Sequence, residues 1–278
     1  MPESMRDSTY RLYLDFLETA EKKRQWSIFD DIPWGKLDAA KAVDATTQGV
    51  EVFCSEELYL PDYASNAIEL LRSHLGMAWF QTRWAFEESR HGLVFREYLT
   101  RSGLRSEAQF EALEAGVFSK SWRLPYETPR RMACYGALQE GATFVAYKAQ
   151  KDKARAAGDE VLAAIFHFVG RDEAAHAGFY RAVAGLEMCR DREGTIADLA
   201  YVLSTFKMPG DGLIENYRER LRTCGAGISP RTFLEHVVSP LLTTLEIDRR
   251  EFKQALKKHS ATAQIEPIES ACAPPAAA

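Results

Sequence analysis

The sequence predicts an all-α protein built around a long four-helix bundle with additional flanking helices. Three observations support this prediction. Apolar residues recur every three or four positions over long stretches, which is the spacing of one face of an α-helix. Glycine and proline, at 17 and 11 of 278 residues, are sparse, and the alternation of β-branched residues that is typical of strands is nearly absent. With 46% hydrophobic residues, a chain of this length can bury a large core without disulfide bonds.

Segments that contain glycine or proline divide the helical pattern into separate elements. The predicted helices are 6–24, 38–48, 50–75, 77–101, 106–115, 128–156, 158–187, 191–206, 211–223 and 230–257. Four of them are long enough to form a bundle, namely 50–75, 77–101, 128–156 and 158–187. Basic residues at 257–259 suit the C-terminal end of the last helix, where the helix dipole is negative.

The composition changes only near the C-terminus. Residues 1–259 show no shift that marks a domain boundary, so we expect a single domain over 1–259. Residues 260–278 are rich in alanine and proline and have no helical apolar stripe, so we expect a disordered tail there.

Charge, cysteines and hydropathy exclude several classes of protein. The net charge of −5 argues against nucleic acid as a partner, because phosphate binding needs clustered basic residues. No apolar run approaches the ~18 residues that a membrane span needs. Five scattered cysteines without a CxxC pair indicate free thiols in a reducing compartment. The N-terminal segment has no basic region followed by an apolar stretch, so we expect a cytoplasmic protein.

Glutamates interrupt the apolar stripes of all four long predicted helices. In two of these helices a histidine follows three residues later, so the two side chains share one helix face. These residues are Glu57 in 50–75, Glu88 and His91 in 77–101, Glu140 in 128–156, and Glu173 and His176 in 158–187.

Four carboxylates that face one another in a core would cost many kcal/mol unless their charge is compensated. Two divalent metal ions remove this cost, and two imidazoles complete the ligand set. One glutamate from each of two helices and Glu-x-x-His from two others is the pattern of ferritin-like di-iron carboxylate bundles. Oxygen and nitrogen donors without thiolates favour iron or manganese over a structural zinc ion. A single Glu-x-x-His pair is a weak signal, and the prediction rests on all four helices together.

At these positions the chain resembles the soluble acyl-ACP desaturase family. The segments that carry the resemblance are EE at 56–57 with LPDY at 60–63, EESRHG at 87–92, QEGATF at 139–144 and DEAAH at 172–176. Their order and separation fit the family over about residues 8–215. The chain departs from the family at Ala174-Ala175, where Lys-Arg is frequent, and in a shorter segment between Glu57 and Glu88.

The resemblance implies which residues bind iron. The implied ligands are Glu57, Glu88, His91, Glu140, Glu173 and His176, with Glu140 and either Glu88 or Glu173 bridging or chelating. Glu56 is the alternative to Glu57. We favour Glu57 because it lies on the apolar stripe, and because Pro61 cannot donate a hydrogen bond to the Glu57 carbonyl, which loosens the helix beside the ligand.

Three further residues carry implied roles. Asp172 would orient the imidazole of His91, and Trp26 would connect Asp172 to the surface for electron entry. Thr143 resembles a threonine near the oxygen-binding face. The alternatives are that Trp26 is a core residue and that the Thr143 hydroxyl bonds back to a helix carbonyl.

The implied reaction is the O₂-dependent introduction of a double bond into an acyl chain held as a thioester on acyl carrier protein. Two iron ions per chain (Fe²⁺/Fe³⁺), O₂ as co-substrate, reduced ferredoxin or a similar donor, and a homodimer belong to this expectation. An acidic carrier would need a basic surface, for which the candidates are Arg83, Arg90 and Arg96, or Lys148, Lys151, Lys153 and Arg155. Candidate residues of an acyl channel are Trp84, Phe95, Phe144, Phe166 and Phe179.

Two other functions stay open at this point. The same site could hydroxylate or desaturate a carrier-bound intermediate of a specialised pathway. A bundle that stores iron or scavenges oxidants is a third possibility, which a core of this size fits less well.

Overall fold

Helices dominate the computed structural model, which describes residues 4–41 and 44–263. The α-helices in these ranges are α1 (Met5–Thr19), α2 (Asp44–Glu57), α3 (Leu60–Leu71), α4 (Leu75–Arg101), α5 (Glu107–Phe118), α6 (Pro129–Ala157), α7 (Glu160–Arg190), α8 (Arg192–Thr205), α9 (Tyr217–Thr223), α10 (Pro230–Phe233), α11 (Ser239–Thr244) and α12 (Arg249–Ala263). The described residues contain no β-strand, so the all-α prediction is confirmed. In the same ranges no helix combines the length and the apolarity that crossing a membrane requires.

Two pairs of helices form the bundle. α4 packs against α2 and α3 on one side, and α6 packs along the length of α7, while α4 also meets α7. α1 covers α4 and α7, and α8 covers α6 and α12. The buried apolar residues form two clusters, one around Phe80, Leu138 and Tyr180 and the other around Phe95 and Phe166. Along α4, α6 and α7, the predicted ligands lie between or beside the residues of these two clusters, so a polar layer interrupts the core.

The fourth side of the bundle is made of two helices where the sequence predicts one. α2 ends at Glu57 and α3 begins at Leu60, because Pro61 in the first turn of α3 has no N–H to donate to the Glu57 carbonyl. The continuous helix 50–75 is therefore wrong, and so is the break at 49. α2 continues through Gly49, where a β-carbon would lie only 3.2 Å from the Cys224 sulfur.

Local capping explains why the longest helices begin and end where they do. Thr128 caps α6 by accepting a hydrogen bond from the Arg131 N–H, and Pro129 occupies the first helical position. Gly158 ends α6 with a left-handed φ of 74°, and Asp159 caps α7 by accepting from the Leu162 N–H. The predictions 128–156 and 158–187 are close to these bounds.

The C-terminal third is more interrupted than predicted. Of 211–223 only Tyr217–Thr223 is helical, because Gly212 and Asn216 have left-handed φ angles of 99° and 54°. The predicted helix 230–257 is broken by a π-helical turn, Leu234–Val238, and by a second break before Arg249. Pro240 lacks the N–H that an α-helix would need at that position.

The last helix ends later than predicted. α12 continues to Ala263, so residues 260–263 are helical and not part of a disordered tail. The rest of the predicted tail, 264–278, lies outside the described residues.

Candidate metal centre

The four sides of the bundle bring the six predicted ligands together. Glu57 lies at the end of α2, Glu140 in the middle of α6, and the two Glu-x-x-His pairs on α4 and α7. Donor atoms within 4.8 Å of one another form two groups of four: Glu57, Glu88, His91 and Glu173, and Glu88, Glu140, Glu173 and His176. Glu88 and Glu173 belong to both groups. Two metal positions with these two carboxylates between them therefore fit the geometry.

Each histidine turns the same ring nitrogen toward this cluster. His91 Nδ1 lies 2.9 Å from Glu88 Oε2 and 3.3 Å from Glu173 Oε1. His176 Nδ1 lies 2.9 Å from Glu88 Oε1. The two rings are fully buried, and their Nε2 atoms point away from the cluster. The Nδ1 atoms are thus the nitrogens available to a metal.

Unpaired polar atoms test whether a metal fits here. Among the described residues, nine buried side-chain nitrogen and oxygen atoms have no hydrogen-bond partner, and four belong to the cluster. They are Glu88 Oε1, Glu140 Oε2, Glu173 Oε2 and His176 Nδ1. Leaving buried polar atoms unpaired costs about 1–3 kcal/mol each. Atoms that converge on one point without hydrogen-bond geometry are the donors that a cation would satisfy, so the donor set fits two metal ions.

Without a cation, the cluster has to hold protons. Burial and repulsion from Glu88 raise the pKa of Glu57 and of Glu173 well above the ordinary value. Burial opposes the charged form of the two histidines, but the attraction of the surrounding carboxylates outweighs it. The pKa values of His91 and His176 are therefore raised. The bound protons supply the positive charge that metal ions would otherwise provide.

A second layer of carboxylates receives the outward nitrogens. His91 Nε2 lies 3.5 Å from Asp172 Oδ2, and His176 Nε2 lies 2.8 Å from Glu87 Oε2. Asp172 also accepts a hydrogen bond from Trp26 Nε1, at 2.7 Å. Such contacts hold the orientation and tautomer of a ligand histidine. Asp172 thus lies beside the predicted histidine, and Trp26 lies beside Asp172.

Glu87 is the part of this layer that sequence reasoning missed. A signal was present, because Glu87 precedes Glu88 just as Asp172 precedes Glu173. In both helices the acid before the predicted ligand glutamate contacts the histidine of the other helix. The segments 87–91 and 172–176 share the pattern acid-Glu-x-x-His, and the acid of each segment contacts the histidine of the other.

Glu56 and Glu57 have different surroundings. Glu57 Oε1 accepts a hydrogen bond from Tyr147 at 2.9 Å and lies in the cluster. Glu56 Oε1 accepts from the Tyr217 hydroxyl at 2.8 Å and from the Gly210 N–H at 3.3 Å, on the side of α9. Burial raises the pKa of Glu56 to about 7. The structure thus places Glu57, and not Glu56, with the other predicted ligands.

A small cavity of about 60 Å³ adjoins the cluster on the side of Glu57 and Glu140. Its other walls include Trp84, Trp122, Met132, Tyr135, Thr143, Met208 and Pro209. Trp84 also donates a hydrogen bond from Nε1 to Glu140 Oε1, at 3.0 Å. Of the five aromatic residues suggested for a channel, only Trp84 is among its walls. Phe95 and Phe166 are packed in one apolar cluster and Phe179 in the other.

Thr143 makes a backbone contact and also borders the cavity. Its hydroxyl donates to the Gln139 carbonyl at 3.1 Å, which is the backbone contact of the alternative interpretation. The same residue lines the cavity beside Glu140.

Comparison with known proteins places these features in context. A family model described as fatty acid desaturase matches residues 53–229, which is more than half of the chain. DesA1 of Mycobacterium tuberculosis, named as an acyl-[acyl-carrier-protein] desaturase, is 27% identical over 254 residues, covering 82% of this chain and 73% of that protein. Acyl-[acyl-carrier-protein] desaturase 4 of Oryza sativa subsp. japonica is 29% identical over 213 residues, covering 66% of this chain and 51% of the rice protein.

Solved structures share the fold. DesA2 from M. tuberculosis, described as an acyl-ACP desaturase, superposes with a TM-score of 0.64 at 18% identity, covering 91% of this chain and 100% of that chain. The R2-like ligand-binding oxidase from Sulfolobus acidocaldarius gives a TM-score of 0.52 at 16% identity, covering 88% of this chain and 91% of that chain. The predicted ferritin-like bundle with flanking helices is confirmed.

Proposed function

The chain belongs to the fatty acid desaturase family, and on this premise we propose that it is an O₂-dependent oxidoreductase that introduces a double bond into an acyl chain held as a thioester on acyl carrier protein. Loss of two hydrogens from neighbouring carbons, with two electrons and two protons from outside, reduces one O₂ to two water molecules. The observation that carries the proposal is the largely apolar cavity, which meets a cluster of four glutamates and two histidines on one side.

The cofactor of this proposal is a pair of iron ions. Glu57 and His91 would hold one ion, Glu140 and His176 the other, and Glu88 and Glu173 would bridge them. The two overlapping groups of donor atoms support this arrangement. When bound, the iron pair supplies the oxidising power for removing hydrogen from an unactivated carbon chain.

The chain's own residues position the reactants. Apolar walls such as Trp84, Met132 and Met208 would hold the acyl chain beside the cluster and exclude bulk water. Thr143 would orient oxygen at the face where the cavity meets Glu140. Tyr147 donates its hydroxyl hydrogen to Glu57 and so fixes the direction of that carboxylate.

Electron entry is proposed through Trp26 and Asp172. The indole of Trp26 is buried, stacks on Phe168 with ring centroids 5.3 Å apart, and hydrogen-bonds Asp172, which lies next to His91. These contacts lead from the partly exposed ring of Phe168 to the proposed ligand His91. We propose ferredoxin or a similar one-electron donor as the partner on this side.

The basic residues suggested for carrier docking divide into two kinds. Arg83, Arg90 and Arg96 form ion pairs with Glu87, Asp172 and Glu107, so their charges are compensated within the chain. Of the α6 group, Lys148 contacts Asp152, and Lys153 donates to the Gly225 carbonyl. Lys151 and Arg155 are the other two residues of this group. Burial lowers the pKa of His167, and the positive charges of Lys151, Arg171 and Arg155 lower it further. We propose this end of α6 for the acidic carrier.

A homodimer is the proposed assembly. Trp79, Phe86 and Leu93, spaced by seven residues on α4, are 54%, 55% and 52% exposed. Residues seven apart lie almost in line on a helix, so they form one exposed apolar stripe. A stripe of large apolar side chains supports contact with a second copy. Sedimentation of the wild type and of Phe86→Glu, with dimer expected only for the wild type, tests this assembly.

Single-turnover product analysis tests the function itself. The reduced, iron-loaded protein is mixed with acyl-ACP and O₂, and the released acyl chain is analysed by mass spectrometry. Loss of two hydrogens is the expected result, and Glu140→Ala should give none. Gain of one oxygen would identify a hydroxylase. An unchanged chain with rapid iron oxidation would point to storage or scavenging of oxidants.

A further inference from the structure

Arg24 is a buried cation at the junction of the two outer carboxylates. It is 7% exposed and ends the π-helical turn Ala20–Arg24 that follows α1. Its Nη1 atom lies 2.9 Å from Asp172 Oδ1 and 3.4 Å from Glu87 Oε2, and its Nη2 atom lies 3.4 Å from Glu87 Oε2. In the ion pairs of the described residues, Arg24 alone contacts both carboxylates.

The two carboxylates belong to different helices and serve different histidines. Asp172, on α7, faces His91 of α4, while Glu87, on α4, faces His176 of α7. A group that fixes Asp172 and Glu87 relative to each other therefore acts on both imidazoles at once. The planar guanidinium, with its forked donors, is suited to spanning two carboxylates.

The segment that carries Arg24 is itself held in place. The guanidinium lies over the Phe16 ring, 4.8 Å from its centroid, and Arg171 donates a hydrogen bond to the Arg24 carbonyl at 2.6 Å. The π-helical turn lies between α1 and Trp26, and such turns occur frequently at functional sites. Side chain and backbone of Arg24 are both tied to the bundle.

We propose that Arg24 is a positioning residue that couples the two halves of the metal centre. By holding Asp172 and Glu87 together, it directs Nδ1 of both His91 and His176 toward the cluster. This inference rests on the metal centre of the proposed function. It adds that the segment preceding Trp26 supports both metal positions, and that loss of one side chain disturbs them together.

Arg83 provides a one-sided comparison. Its Nε atom lies 2.9 Å from Glu87 Oε1, and it has no described ion pair with Asp172. Replacing Arg83 should therefore affect the half of the site that contains His176 and leave the half with His91 unchanged. Arg231, whose side chain is 85% exposed and pairs with Glu235, serves as the control for loss of a positive charge.

Zinc binding tests the proposal without turnover. Metal-free wild type, Arg24→Gln, Arg83→Gln and Arg231→Gln are titrated with Zn²⁺ against a chromophoric chelator. The Nε2–H resonances of His91 and His176 are then followed by NMR in the zinc-loaded proteins. We expect Arg24→Gln to weaken binding of both ions about 10- to 100-fold and to shift both resonances. Arg83→Gln should shift only the resonance of His176, and Arg231→Gln neither.

Two results with folded Arg24→Gln would overturn the proposal. One is binding of both zinc ions as tight as in the wild type, and the other is a shift of only one of the two histidine resonances. If Arg24→Gln does not fold, Arg24→Lys decides. Lysine keeps the charge but lacks the fork, so it should still weaken both sites, and wild-type binding by this variant would contradict the coupling. Failure here with normal desaturation by the wild type would leave the proposed function standing. If Arg24→Gln shows the expected loss of zinc binding but the wild type leaves acyl-ACP unchanged, the coupling would stand and the proposed function would fail.

Discussion

Glu87 accepts a hydrogen bond from Nε2 of His176, 2.8 Å away, across the interface between α4 and α7. The pKa of Glu87 is lowered despite its burial, because His176, Arg24 and Arg83 surround the carboxylate with positive charge. The contact leaves Nδ1 of the same ring facing the cluster. Glu87, which precedes the proposed ligand Glu88 on α4, thus helps to position the proposed ligand His176 on α7.

Replacing Glu87 by Gln should weaken metal binding while leaving the six proposed ligands in place. Glutamine keeps the size of the side chain but loses the charge that holds the His176 imidazole, and such losses typically cost about 10- to 100-fold in metal affinity. Competition with a chelator measures the change. Glu97→Gln, on the same helix and paired with Arg101 near the surface, is the matched control and should bind metal normally. Equal affinities of the two variants would contradict the role of Glu87.

Glu140→Ala should remove most of the iron from protein that is expressed with iron. Glu140 is 1% exposed and has one oxygen without a hydrogen-bond partner. Elemental analysis should approach two iron ions per chain in the wild type and fall below one in the variant. Glu56→Gln changes a neighbouring carboxylate outside the cluster and should retain the iron. Full iron content in Glu140→Ala combined with Glu173→Ala would exclude the proposed ligand set.

Trp26→Phe should separate metal binding from electron entry. Phenylalanine keeps a ring against Phe168 but loses the N–H that donates to Asp172. Iron content is expected to be unchanged and reduction by ferredoxin to become slower, as measured by stopped-flow absorbance. Wild-type reduction rates would instead show that Trp26 is only a core residue.

The metal-free protein should lose stability as pH rises above about 6.5. The raised pKa values of Glu57, Glu173, His91 and His176 mean that the folded chain binds protons that the unfolded chain has released at this pH. Unfolding then releases protons, so the free energy of unfolding falls with increasing pH. The lowered pKa values of Glu88 and Asp172 act only in acid.

Melting curves at pH 6 and pH 8.5 check this dependence. The metal-free protein should melt at a lower temperature at the higher pH, while the metal-loaded protein, whose ligands are already deprotonated, should change less. If the difference in melting temperature between the metal-loaded and metal-free proteins does not increase with pH, the cluster does not hold the protons that the raised pKa values imply.

Gly76→Ala should destabilise the contact between α1 and α4. A β-carbon at this position would lie 2.3 Å from the Thr9 carbonyl oxygen, so one of the two helices has to move. Overpacking of this kind costs about 1–3 kcal/mol. Gly116→Ala in α5 meets no atom within 4 Å and should stabilise the helix by up to about 1 kcal/mol. Urea denaturation measures the change in the free energy of unfolding, which should be negative for Gly76→Ala and positive for Gly116→Ala. Equal changes in the two variants would contradict the close approach of α1 and α4 at Gly76.

Much of the fold and most of the cluster follow from local patterns. The helical spacing of apolar residues identifies α4, α6 and α7 nearly to their ends, because capping and spacing are properties of neighbouring residues. Glu88 with His91, and Glu173 with His176, lie three apart on one helix, so their proximity does not depend on tertiary structure. The sequence predicts only part of the division of the 50–75 segment into α2 and α3. Pro61 indicates a loosened turn but not a complete break.

By itself, the sequence determined the all-α class, the four glutamates and two histidines, and their placement on buried helix faces. Only the tertiary structure decided which acid faces which histidine, that Glu88 and Glu173 are shared between two groups of donors, and that Arg24 joins Asp172 to Glu87. The physical reason is the range of each interaction. Spacing along one helix fixes neighbours on that helix, whereas contacts between helices depend on how far each is shifted and rotated against the next, and packing of the whole core sets that.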